Sequence, residues 1–109
     1  MAASLECLAP EVINSVRARM DKMIPGMLSS IDLFFHINTR KTFLKAFVDD
    51  PVGTFRLLLD FYADDPESAR HTMLTLLRVL TGGNLSLAHG ALELLEKGRA
   101  EEFKQLICK

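Results

Sequence analysis

Three leucine pairs stand 18 residues apart, at Leu58-Leu59, Leu76-Leu77 and Leu94-Leu95. Each closes a similar five-residue word: Phe55-Arg56-Leu57-Leu58-Leu59, Met73-Leu74-Thr75-Leu76-Leu77 and Ala91-Leu92-Glu93-Leu94-Leu95. That step equals about five α-helical turns, so an unbroken rod would carry all three pairs on one face. Pro66 and Gly82-Gly83 fall between the words, and both residue types favour ending a helix. The repeat therefore predicts three successive helices joined by short turns, with equivalent leucines packed against one another.

The rest of the chain extends the same pattern. Pro10 and Glu11 suit a first helical turn. Val12, Val16, Met20, Met23 and Met27 then form one amphipathic seam at steps of four, four, three and four. Pro25-Gly26 interrupts that seam, so the first helix is expected to end near Met23 or Ile24, and a second to run from Met27 to Phe35. Asn38 or Thr39 is expected to cap a third helix carrying Phe43, Leu44, Phe47 and Val48.

Asp49-Asp50-Pro51 stops that helix, because the residue before proline avoids helical angles, and starts the next with Asp50 as N-cap. Asp64-Asp65-Pro66 repeats the device. Helices are thus predicted over 51–63 and 66–81, from Asn84 or Ser86 to Lys97 with Gly98 as the stop, and over 99–107. The broad apolar face of 51–63, widened by Leu57 and Phe61, marks that helix as central.

No stretch alternates as a half-buried strand requires. The predicted fold is all-α: one domain over 1–109, a compact bundle of about 5–7 short helices with antiparallel neighbours, or a short helical-repeat-like array. Neither the tetratricopeptide nor the ankyrin signature occurs. The 40 Leu, Ile, Val, Phe and Met residues make a core without metals feasible. A net charge of −1 gives no strong field toward polyanions or polycations.

Cys7 and Cys108 lie near opposite ends, and a secreted disulfide scaffold would normally hold more cysteines. Reduced thiols in an intracellular protein, cytoplasmic or nuclear, are the expectation. No signal peptide is read at the start, and no apolar run reaches the roughly 20 residues of a membrane span.

Chemistry-bearing constellations are scarce. His36, His71 and His89 fall on different predicted helices, and no ligand spacing suggests a metal. The aspartates at helix starts are explained by capping, and neither cysteine has a neighbouring histidine to activate it. Neither catalysis nor a cofactor is expected. Gly82-Gly83-Asn84 before a helix would expose amides to a phosphate, but no lysine follows at phosphate-loop spacing, so the turn reads as a helix C-cap.

By elimination, the sequence points to a non-catalytic helical protein–protein interaction module, an adaptor or scaffold that receives an apolar helix or loop of a partner, or that self-associates. The expected partner-binding surface is Met20, Met23 and Met27 with Phe34 and Phe35, because methionines suit a groove accepting varied apolar helices. The alternative is a small nucleic-acid-binding domain using Arg17, Arg19, Lys22, Arg40, Lys41 and Lys45.

Overall fold

Helix boundaries follow from side chains that satisfy the N–H groups left unpaired at each helix start. The computed structural model describes residues 4–108, and among them there are seven helices and no strand: α1 Pro10–Met23, α2 Met27–Thr39, α3 Phe43–Asp49, α4 Pro51–Phe61, α5 Pro66–Leu80, α6 Leu85–Glu96 and α7 Ala100–Ile107. The first three residues and Lys109, counted in the single-domain expectation, lie outside the described residues.

Both aspartate–proline devices work as read. Asp50 Oδ1 accepts from Gly53 N at 2.9 Å, and Asp65 Oδ1 from Ser68 N at 3.1 Å. Asn84 Oδ1 accepts from Leu87 N at 3.0 Å to start α6. A Cβ on Gly53 would meet the Asp50 carboxylate as it is placed, so a larger residue there would make that side chain shift.

The second boundary differs from expectation. α2 continues past Phe35 to Thr39. Asn38 and Thr39 are therefore inside α2, and their side chains donate back to the carbonyls of Phe34 and Phe35, each at 2.8 Å. Such bonds to the preceding turn let short polar side chains stay helical. The α3 cap is Thr42, whose Oγ1 accepts from Lys45 N at 3.2 Å. Arg40 makes the turn between the two helices at a φ of +62°, a conformation glycine adopts without strain.

α4 touches α2, α3, α5 and α6, which is the central position its broad apolar face predicts. The three leucine words sit on α4, α5 and α6, and α4 touches α6 as well as α5, so the words close on one another. Leu58, Leu76, Leu77 and Leu95 are buried there. One carboxylate ties the first three helices. Arg17 Nη2 lies 2.7 Å from Asp32 Oδ2, and Asp32 Oδ1 accepts from Phe43 N at 3.0 Å. The radius of gyration is 12.6 Å, against about 13 Å for a compact chain of this length.

The chain ends meet beside α3. Leu5 is fully buried and donates its N–H to the Val48 carbonyl at 2.6 Å, while Phe103 of α7 packs edge-on against Phe47 with ring centroids 6.0 Å apart. Cys7 and Cys108, 101 residues apart in sequence, are joined there by a disulfide with a Cα–Cα distance of 5.7 Å. This corrects the expectation of reduced thiols. Burial of Leu5 and Phe103 draws both ends onto one helix, which the spacing of two cysteines does not reveal.

Reducing this bond is expected to cost up to about 4.7 kcal/mol, the chain-entropy value for a loop of about 100 residues. Helicity should persist at room temperature, because Leu5 and Phe103 still anchor the ends. Circular dichroism melts with and without reductant check this. Complete loss of helix on reduction would show that the bond, and not the packing, holds the ends.

Candidate functional site

The five expected partner-binding residues do not share a surface. Met20 and Phe35 are both 0% exposed and belong to the core. Phe34 is half-buried against Phe61 at 5.3 Å, and Met27 is half-buried with its sulfur 4.0 Å from Thr72 Oγ1. Only Met23 faces outward, at 49% exposure. The cause is geometric. The seam turns inward where α1 meets α2 and α5, and Met23 is the last helical residue before the chain reverses at Gly26, whose φ is +83°.

Met23 nevertheless borders a concavity. Between the C-terminal half of α1 and the end of α5 lies a shallow, open depression of about 410 Å³, lined by Arg19, Lys22, Met23, Arg78, Val79, Gly82 and Gly83. A second, of about 320 Å³, continues along α1 past Glu11, Val12, Ser15 and Val16, with Val79 and Leu80 opposite. Both include Arg19 and Val79, so they form two halves of one trough. From Val12 to Met23 the α1 face runs about 17 Å, close to three turns of a docked helix.

Sequence reasoning missed the α5 wall of this trough. The buried residues of α5 are Ala69, Thr72, Met73, Thr75, Leu76 and Leu77, and Val79 continues the Thr72–Thr75 edge of that face, half-buried against the core. The sequence carried no signal for it, because by periodicity Val79 reads as one more core residue. Leu33 and Ile37, at 63% and 72% exposure, are also apolar and outward, but they line neither half of the trough.

The Gly82-Gly83 turn is a C-cap, as read. Gly82 N donates to the Val79 carbonyl at 3.2 Å and Gly83 N to the Arg78 carbonyl at 2.8 Å, with both glycines at positive φ. These amides close α5 and are not presented to an anion.

The six basic residues of the alternative reading divide in two. Arg17 pairs with Asp32 at 2.7 Å, and Lys41 and Lys45 reach Asp49 at 2.6 and 3.6 Å. The Lys41 hydrogen bond is the main cause holding the Asp49 carboxyl below its ordinary value, and the charges of both lysines act in the same direction. Arg19, Lys22 and Arg40 make no ion pair among the described residues.

His36, His71 and His89 are exposed on separate helices, and no group of three His, Cys, Asp or Glu side chains converges as a metal set among the described residues. None of the described helices is long and apolar enough to cross a membrane. Comparison with protein-family models, with curated proteins and with solved structures finds no match.

The placement of the two methionines sets opposite outcomes for one substitution. Met20→Ala is expected to cost about 2–5 kcal/mol by opening a core cavity, whereas Met23→Ala should stay within about 0.5 kcal/mol. Urea unfolding of both variants checks this, and equal costs would contradict the assignment of Met20 to the core. A second outcome concerns pH. A carboxyl with a lowered folded-state pKa contributes stability above the ordinary carboxylate range and loses it as pH falls through the lowered value. Wild type should therefore lose stability relative to Asp49→Asn as pH drops below 3.8. Parallel acid titrations of the two proteins would contradict it.

Proposed function

We propose that this chain is a non-catalytic helical interaction module, and that the trough between α1 and α5 receives an apolar helix or loop of a partner protein. One observation carries the reading: Val12, Met23, Val79 and Leu80 leave apolar surface in a concavity already formed in the free chain. Its length fits three turns, and docking of an amphipathic helix into a preformed groove limits the ordering cost to the arriving segment. Val16, buried beneath the trough, fixes α1 against the core.

Self-association through the same surface would use the same chemistry, as an exposed apolar patch often marks contacts between copies. The nucleic-acid reading draws less support, since Arg17, Lys41 and Lys45 are already engaged by carboxylates. Phosphate contacts gain affinity from several free cations together. The setting expected from the sequence, cytoplasm or nucleus, is reducing, whereas a bond such as Cys7–Cys108 persists in an oxidising compartment.

A neutral helical peptide of about 15 residues, with leucines at i, i+4 and i+7, provides the test. Titrated into isotope-labelled protein, it should shift amide resonances of α1 and of the α5 end. Val79→Asp should weaken binding by roughly tenfold or more, about 1.4 kcal/mol, with no change in helicity. Shifts confined to Leu33 and Ile37, or binding indifferent to Val79→Asp, would overturn the assignment.

A further inference from the structure

The free cations of this fold are not scattered evenly. Of the twelve lysines and arginines among the described residues, six are ion-paired: Arg17, Lys41, Lys45, Arg70, Lys97 and Arg99. Three of the other six, Arg19, Lys22 and Arg78, line the same end of the trough beside Met23 and Val79. Two elements bring them together, since Arg19 and Lys22 lie on α1 and Arg78 on α5. Glu11 stands at the opposite end, so charge along the trough runs from basic to acidic.

From this we infer that the occupant is an acidic amphipathic helix of another protein. It lays an apolar stripe over Val12, Val79 and Met23, and sets two or three carboxylates against Arg19, Lys22 and Arg78. The inference rests on the trough being a docking surface, and adds to it a partner class and an orientation. The acidic turn of the occupant lies at the Gly82-Gly83 end, and no acidic residue of it faces Glu11. Like charges placed opposite one another oppose docking, so the gradient selects one direction. The cations lie at the rim over an apolar floor, where they guide encounter and register while the floor supplies contact area.

Two other occupants fit less well. A phosphate-bearing ligand could pair with Arg19, Lys22 and Arg78, but it gains no amide from Gly82 or Gly83, which are spent on carbonyls of α5, and it leaves the apolar surface of Val12, Met23 and Val79 uncovered. A second copy of this chain would need an exposed apolar side chain with a carboxylate one helical turn away. The exposed large apolar residues are Val12, Met23, Leu33, Ile37 and Leu85, and none has Asp or Glu three or four positions away. None of these five supplies the acidic stripe, so we take a different chain as its source.

Three labelled helical peptides sharing one apolar stripe, with Glu, Gln or Lys at three positions of one terminal turn, test this by fluorescence anisotropy on the full chain. At low salt the Glu peptide should bind roughly tenfold tighter than the Gln peptide and the Lys peptide most weakly, a spread that added salt compresses. The double variant Arg19→Glu/Arg78→Glu should reverse that order, and Arg19→Gln/Arg78→Gln should abolish it. Melting curves of both variants confirm the fold. Equal binding of Glu and Gln peptides, both lost with Val79→Asp, would overturn acid selection and leave the docking surface standing. Peptides indifferent to Val79→Asp would overturn both. A dimer by light scattering that Arg19→Glu/Arg78→Glu dissolves would make a second copy the occupant. Random-sequence duplex DNA binding tighter than the Glu peptide, and lost in the same variant, would replace the acidic helix with nucleic acid.

Discussion

Everything in this fold leans on the inner face of α5. Ala69, Met73, Leu76 and Leu77 are buried where α5 meets α1, α4 and α6, so one helix carries contacts to three others. Removing a single large side chain from such a site typically costs about 2–5 kcal/mol, a sizeable share of a small domain's stability. The polar groups on that face are reconciled with burial. Thr75 Oγ1 donates to the His71 carbonyl at 2.9 Å, and Thr72 Oγ1 shares a 2.9 Å hydrogen bond with the Tyr62 hydroxyl. Among the described residues, no buried side-chain nitrogen or oxygen lacks a partner. That matters because an unpaired polar atom there would cost more than a paired one contributes.

Around this centre, α2 and α3 add an aromatic layer, and the chain ends are gathered onto α3. Phe35 meets Phe43 at 5.2 Å and Phe34 meets Phe61 at 5.3 Å, both edge-on, the arrangement ring quadrupoles favour. The disulfide between Cys7 and Cys108 fastens a junction that Leu5 and Phe103 already bury. It lies by α3 and α7, and neither cysteine lines either half of the trough. The redox state of the ends and the trough are thus carried by separate residues.

Local chemistry was legible in the sequence, and encounters between distant segments were not. The aspartate–proline devices and Asn84 could be read because a cap acts on amides two or three residues away. The leucine words could be read because a buried helix needs a repeating apolar stripe. The end of α2 could not, since Asn38 and Thr39 bond equally well as caps or backward within a helix, and Arg40 at positive φ decides between them. The methionine seam gave the right periodicity and the wrong surface. Periodicity shows which residues share a face, but which helix covers that face depends on the packing of α1 against α5. The same limit hid the disulfide and the trough, each of which joins segments far apart in the chain.

The functional reading depends on the trough existing before any partner arrives. Val16 and Met20 hold α1 to the core, and Val79 meets it across the trough from the last turn of α5, so α1 should be as firmly held as the helix it faces. Native-state hydrogen exchange measures this directly, because amides of a loosely attached helix open with a smaller free energy than those of the core. Amides from Val16 to Met20 should exchange with the same opening free energy as those from Met73 to Leu77. Rapid exchange along α1 while α4, α5 and α6 remain protected would mean that the trough is not preformed, contradicting the account.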